Sequence, residues 1–332
     1  MMEEIITLDY GSGGKKTSRL IEDVLLPAFD NAALNELGDG AVLPGAESIA
    51  FSTDSFVVDP IFFPGGDIGK LSICGTVNDL AMCGAVPQYI SCAFIIEEGL
   101  ALSALERVVQ SIAATAKSAG VRVVTGDTKV VERGRGDKIY INTAGVGFVK
   151  YPGLSTQNIR AGDKVLLSGA AGDHGTAIML ARSGMMQGTV TSDCAPLHEL
   201  ASAVLDCGGV RVLRDPTRGG VATTLNEFVE GTALGIELDE AAIPVHPEVT
   251  AACDMLGLDA LYCANEGKLL AVVAPEMADA ALAAMRAQNV GREAAIIGTV
   301  TDKYSGRVVM NNAFGGRRVL QKLTGAQLPR IC

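Results

Sequence analysis

A thiol, a group of aspartates beside glycines, and one glutamate ahead of an apolar run are the side chains of this sequence with chemistry to offer. The final residues read Leu328-Pro329-Arg330-Ile331-Cys332. Termini are poorly ordered unless something ties them down, and the stretch from Lys322 to Cys332 would span roughly 35 Å if extended. Cys332 is therefore either a frayed end that carries a sulfur or a carrier able to bring that sulfur into a cleft. The adjacent α-carboxylate disfavours the thiolate, which suits a carrier better than an activated nucleophile. Pro329 restricts the backbone before it and lowers the entropy lost on docking.

Asp39 in Gly38-Asp39-Gly40-Ala41, Asp54 in Ser52-Thr53-Asp54, Asp79 in Asn78-Asp79-Leu80-Ala81 and Asp127 in Gly126-Asp127-Thr128-Lys129 are predicted at strand ends or in tight turns. Each alone reads equally well as a turn or a helix cap. Converging on one cleft, they would suit Mg2+, which takes hard oxygen ligands and holds polyphosphate through a few carboxylates and waters. Asp79 is the sharpest case, because a carboxylate inside an apolar helical run is costly unless paired or coordinated. Gly172-Asp173-His174-Gly175 and Asp215-Pro216-Thr217-Arg218-Gly219-Gly220 both lead into helices, whose starts offer free N–H groups to anions; each is a phosphate site or an ordinary capped turn. Asn265-Glu266-Gly267-Lys268 sets a carboxylate just before an apolar strand, where a cleft can open, which makes Glu266 a candidate catalytic group. The glycine-rich start Gly11 to Lys16 fails the phosphate-loop pattern, since Lys16 follows Gly14-Lys15 and Asp9 holds the first glycine's place.

The elements that must position these groups follow from periodicity. Thr17–Phe29, Gly66–Cys83 and Ala101–Ala119 read as helices, and Ile49–Asp54, Gln88–Ile96, Val121–Thr125 and Ile139–Val149 as strands, giving a β-rich first domain over residues 1–150. Residues 151–162 form a polar, Pro/Gly-containing linker. Strands at Lys164–Ser168, Ile236–Asp239, Leu269–Val273 and Ala294–Val300 alternate with helices at Thr176–Ser183, Leu197–Cys207, Gly220–Thr232, His246–Leu256 and Pro275–Asn289. That alternation predicts a second α/β domain over 163–323, with a short hairpin within Lys303–Lys322 and a tail over 324–332.

Length and composition narrow the classes. A chain of 332 residues, 48% hydrophobic and 20% charged, fits a two-domain globular enzyme. A net charge of −11 argues against a nucleic-acid surface. The opening Met1-Met2-Glu3-Glu4 lacks the basic start of a signal peptide and charge interrupts the alanine-rich runs, so a cytoplasmic protein without membrane association is expected. Eight cysteines without a C-x-x-C pair, and three histidines, give neither a disulfide framework nor a zinc site.

Gly126-Asp127-Thr128-Lys129-Val130, Asn78 to Ala85, Gly172 to Gly175, Asp215 to Gly220 and the closing Pro329-Arg330-Ile331-Cys332 together resemble the HypE family of [NiFe]-hydrogenase maturation proteins, the carbamoyl dehydratases. The likeness runs from the glycine-rich start to the last residue. The Gly-Asp motifs alone mark the wider ATP-binding superfamily of aminoimidazole ribonucleotide synthetase, selenophosphate synthetase and thiamine-monophosphate kinase; the cysteine ending separates HypE. The resemblance implies a two-domain α/β (α+β) fold in a homodimer, with the N-terminal sheets joined in a β-barrel. It implies ATP and Mg2+ held by Asp39, Asp54, Asp79 and Asp127, with Asp173, Asp215 and Gly219 as further nucleotide contacts. A HypF-type carbamoyltransferase would load a carboxamide onto Cys332, ATP-dependent dehydration would turn it into a thiocyanate, and the cyanide would pass to iron on a HypC–HypD complex. Glu266 and Lys129 are the candidate bases, Lys129 equally a phosphate ligand, and His174 would touch phosphate or the tail. Two alternatives stand beside this: another ATP-dependent enzyme of the superfamily, and a nucleotide-binding scaffold whose tail docks on a partner.

Overall fold

The computed structural model describes residues 5–12, 14–37, 40–184 and 190–323. The expectations for Asp39, Cys332 and the tail 324–332 lie outside the described residues.

The chain opens with α1 (Lys15–Leu20), a π turn (Ile21–Leu25), α2 (Leu26–Phe29) and α3 (Ala32–Asn35). The helix predicted over Thr17–Phe29 is present as one unbroken helical run from Lys15 to Phe29, widened into a π turn ahead of Pro27, which has no N–H to give to the turn before it. There follow β1 (Ile49–Phe56), the short pair β2 (Phe62–Phe63) and β3 (Gly66–Asp67), α4 (Ile68–Met82), β4 (Ala85–Glu97), α5 (Leu102–Ser118), β5 (Arg122–Val131) and β6 (Ile139–Val149). The long strands make a four-stranded sheet in the order β1-β6-β4-β5. It is antiparallel except for β4 and β5, which run parallel around the crossover helix α5.

α4 begins at Ile68 because Asp67 caps it, accepting from the N–H groups of Gly69 and Lys70 at 2.8 and 3.0 Å. Nearly all its residues are buried, as befits a helix apolar on every side, whereas α5 buries only a stripe of Leu105, Val108, Val109 and Ile112 with two small neighbours. Two aspartates depart from their predicted settings: Asp54 lies within β1 and Asp127 within β5, neither at a strand end nor in a turn, whereas Asp79 lies within α4, inside the apolar helical run. For Asp127 the cause is β4, which keeps pairing past Thr125 and holds Asp127 opposite Ala93 and Lys129 opposite Ile95.

The strand period of two decides which groups can meet. Ser52, Asp54 and Phe56 face α4, while Phe51, Thr53 and Ser55 take the outer face. The register Ser55–Asn142, Asn142–Ala93, Ala93–Asp127 carries that outer face across the sheet, so Asp127 and Lys129 lie on the side opposite Asp54.

The second half contains β7 (Lys164–Leu167), α6 (Asp173–Ser183), α7 (His198–Asp206), β8 (Val210–Arg214), α8 (Gly220–Val229), β9 (Gly235–Asp239), α9 (Pro247–Leu256), β10 (Leu270–Val273), α10 (Ala278–Ala287), β11 (Ala295–Thr301), β12 (Val308–Asn311) and β13 (Arg317–Leu320). Its seven-stranded sheet has the order β13-β12-β9-β11-β7-β10-β8. Strands and helices alternate as predicted, yet only β9 and β12 pair in parallel. β12 and β13 form the predicted hairpin; β8 has no counterpart among the predicted strands. Residues 151–162 lead from β6 to β7, with the Ser155 N–H bonded to the Arg211 carbonyl at 2.9 Å. The two halves share packing: Ala81 and Met82 at the end of α4 join one apolar cluster with Leu166, Leu197 and Leu200.

Candidate functional site

Between the halves lies a cleft of about 380 Å3, walled by Asp54 and Asp79 on one side and by Arg214, Asp215, Arg218 and Glu266 on the other. α4 can approach β1 closely here because Gly75 has no side chain; a Cβ would stand 2.8 Å from the Phe56 ring and 3.5 Å from the Asp54 carboxylate. Asp79 accepts a 2.5 Å hydrogen bond from the Ser52 hydroxyl. On the opposite wall, α8 starts at the cleft edge, where Thr217 and Thr224 line it. Gly219 precedes α8 in the left-handed region at φ 77°, and a Cβ there would meet the Thr223 hydroxyl at 2.3 Å.

The carboxylates crowd one another. Burial first, and then Asp79, raises the Asp54 carboxyl above its ordinary range. Burial also raises Asp79, against the Ser52 hydrogen bond. Asp215 is pushed up to about 7 by burial and then by Asp79. Glu266 is 3% exposed and sits well above the ordinary glutamate range, through burial and then through Cys194 and Asp215. Against this negative charge stand Arg214 and Arg218, the latter with its guanidinium 3.9 Å from the Asp54 carboxylate. A site that holds hard oxygen donors at raised pKa, next to guanidinium groups, fits a divalent cation together with a polyanion such as a polyphosphate. Among the described residues no three His, Cys, Asp or Glu side chains gather into a preformed metal cage. Mg2+ needs none, since it is commonly held by one or two carboxylates plus substrate phosphates.

The remaining candidates fall elsewhere. Asp173 heads α6 and is bound to His246 Nδ1 at 2.8 Å and to Lys268 Nζ at 3.7 Å; Lys268 in turn reaches Asp193 at 3.2 Å. His174 is fully buried, its Nδ1 at 2.7 Å from the Ser192 hydroxyl and its ring edge-on to Phe63. Neither Asp173 nor His174 lines the carboxylate cleft. Asp127 and Lys129 form an exposed 3.5 Å ion pair on the outer sheet face. The structure thus brings together Asp54, Asp79, Asp215 and Glu266, with Gly219 adjoining them, and keeps Asp127, Lys129, Asp173 and His174 apart.

The sequence reading missed the two arginines and Ser52 as parts of the cleft. Arg218 stands inside a motif already singled out, but its value depends on facing Asp54 across two domains, and no local spacing reveals that. The last described residue, Leu323, donates its N–H to Thr223 Oγ1 at 3.3 Å, so the described chain ends beside the first turn of α8.

Comparison with known proteins gives this geometry a context. The family model of the AIR synthase related protein N-terminal domain matches residues 30–149, and that of the C-terminal domain matches residues 160–311. A protein of Cupriavidus necator named carbamoyl dehydratase HypE is 51% identical over 332 residues, covering 98% of this chain and 95% of its own. A solved hydrogenase maturation protein HypE in complex with ATP superposes with a TM-score of 0.94 at 50% identity, covering 98% of this chain and 99% of that one. A HypE chain from a solved HypE–HypF complex gives 0.79 at 47% identity, covering 91% and 99%.

Proposed function

The chain belongs to the AIR synthase related family and, within it, to the HypE carbamoyl dehydratases, and from that premise we propose that it dehydrates a carboxamide carried on the Cys332 thiol to a thiocyanate, with ATP as the driving reactant, to supply the cyanide ligand of [NiFe]-hydrogenase. The observation that carries this reading is the interdomain cleft, where Asp54, Asp79, Asp215 and Glu266 face Arg214 and Arg218. The nine residues that follow Leu323 in sequence would span about 30 Å if extended, at about 3.3 to 3.6 Å per residue, a length that suits a thiol carrier.

A thiocarboxamide does not readily lose its oxygen as hydroxide. Attack of that oxygen on the ATP γ-phosphorus releases ADP and converts the oxygen into a phosphate ester; loss of both N–H protons then lets phosphate depart and leaves S–C≡N. Arg214 and Arg218 bind and orient the phosphates, and positioning carries much of the catalysis in phosphoryl transfer. Mg2+, held by Asp54 and Asp79, would neutralise charge on the polyphosphate and on the crowded carboxylates. Glu266 takes one N–H proton, because its buried carboxylate, once ionised, is a stronger base than an exposed one, and the departing phosphate carries away the other. Cys332 carries the group and Gly219 gives the α8 turn its close approach to Thr223.

The outer sheet face exposes Ile49, Phe51, Val86 and Ile95, and its burial against a second copy would form the dimer. Asp127 and Lys129 share that face, so their nucleotide contacts belong to the dimer and not to the cleft of one chain. Asp173 and His174 support α6 behind the cleft. The HypE–HypF complex supports a HypF-type carbamoyltransferase as the donor, and a HypC–HypD complex would receive the cyanide. Working beside such partners, the protein is read as cytoplasmic. Among the described residues no helix is long and apolar enough to cross a membrane.

The test is mass spectrometry of the C-terminal peptide after incubation with carbamoyltransferase, carbamoyl donor and ATP. A carboxamide adduct that becomes lighter by one water only as ATP is hydrolysed is the expected result, and C332A shows neither species. Full substrate-dependent turnover by C332A, or a peptide left unmodified throughout, overturns the reading.

A further inference from the structure

The main chain of Glu266 is held on both sides by the single segment Asp193–Ala195. Its N–H donates to Asp193 Oδ1 at 3.1 Å, and the next N–H, of Gly267, donates to Asp193 Oδ2 at 3.2 Å. Its carbonyl accepts from the Ala195 N–H at 3.2 Å and from Asn78 Nδ2 of α4 at 3.4 Å. Gly267 is required by this approach, since a Cβ there would lie 1.8 Å from the Asp193 carbonyl oxygen. The Asp193 side chain is 2% exposed and meets Lys268 Nζ at 3.2 Å, so the charge that binds the two N–H groups is itself neutralised inside the protein.

We propose that Asp193 is a positioning residue for Glu266: its two carboxylate oxygens fix consecutive N–H groups of the Glu266-Gly267 turn and thereby aim the Glu266 side chain at the carboxamide nitrogen. The inference rests on the proposed role of Glu266 as proton acceptor. Charge-assisted bonds to backbone N–H groups are the strong kind, and a bidentate pair fixes orientation as well as distance. A proton acceptor must stand within hydrogen-bond reach of the proton it removes, and a displacement on the order of 1 Å can cost about 100-fold in rate. Lys268 completes the device, because a buried carboxylate without its cation would neutralise instead of holding two N–H groups.

The experiment compares D193N, D193N/K268M and E266Q in the full-length protein, carbamoylated by its transferase, with ADP release as the readout. D193N is expected to lower kcat roughly 10- to 100-fold while KM for ATP stays within about twofold, since Asp193 bonds to Glu266, Gly267 and Lys268 and to none of the proposed phosphate or metal ligands Arg214, Arg218, Asp54 and Asp79. The double variant removes the Asp193–Lys268 pair together, and Asp173 keeps its bond to His246; its melting temperature recovers relative to D193N while kcat stays low. It also carries the test if D193N alone does not fold. A recovery of kcat along with the melting temperature would mark Asp193 as merely structural and overturn the inference. So would wild-type kcat in D193N beside an inactive E266Q. A fully active E266Q would sink the premise, and with it the role given to Asp193.

Discussion

At the scale of single residues, the cleft is a place where charge is kept at a cost and put to use. Glu266 is buried and flanked by Asp215 and Asp193, so E266Q preserves its shape and hydrogen-bonding while removing the proton acceptor. We expect E266Q to lower kcat by roughly 100- to 10,000-fold with ATP binding retained, read by ADP release alongside nucleotide titration. Asp215 makes a thermodynamic statement as well. Its folded pKa is raised from the ordinary 3.8 to about 7, so its stabilising contribution is complete below pH 3.8 and is lost as pH rises through about 7. The penalty at neutral pH is about 4 kcal/mol at most, given about 1.4 kcal/mol per pH unit. In the ligand-free protein, D215N should therefore gain stability over the wild type at pH 8 and gain little at pH 4, measured by urea unfolding at both. An equal effect at the two values would show that Asp215 is not held at a raised pKa.

At the scale of elements, the site depends on α4 lying against the sheet closely enough to set Asp79 beside Ser52. Gly145 on β6 permits this, for a Cβ there would come within 2.6 Å of Thr76 Cγ2 and 2.9 Å of Leu80 Cδ1. G145A should cost about 1 to 3 kcal/mol in urea unfolding, as overpacking does, and weaken ATP binding through the displaced Asp79; wild-type values for both would contradict this account. The same helix shows what could be read from the chain. An apolar run with Asp79 in its middle announces a buried helix and a carboxylate that needs a partner, and both follow from residue type alone. Glu266 and Asp215 were legible through their glycine-rich neighbours, and α5 through its stripe at helical spacing. Other features were not legible, because they depend on tertiary pairing. β5 outruns its apolar stretch since β4 supplies partners out to Val131, and that continuation turns Asp127 away from Asp54. Likewise, nothing in Ser192-Asp193-Cys194 signals an anchor, since its partners lie more than 70 residues along the chain.

At the scale of the whole molecule, one face remains unaccounted for by a single chain. The outer side of the four-stranded sheet carries Phe51 at 66%, Ile49 at 54% and Ile95 at 44% exposure, large apolar side chains turned to solvent at both ends of one sheet face. Exposed apolar surface of this kind on a sheet calls for a partner, and burying it contributes roughly 25 cal/mol per Å2. Asp127 and Lys129 lie on the same face, so docking two copies through it would take both residues from open solvent into the assembly. The two observations are linked: if the nucleotide contacts of Asp127 exist only in the dimer, loss of the dimer and loss of Asp127 act through one step. F51E places a charge where the face must be dry and should yield a monomer by light scattering with its far-ultraviolet dichroism unchanged. Its ATP affinity should fall, D127N in the dimer should show a comparable fall, and F51E/D127N should be no weaker than F51E alone, because effects that share one step do not add. Additive losses in the double variant, or a monomeric F51E with undiminished affinity, would show that each chain binds its nucleotide without the other.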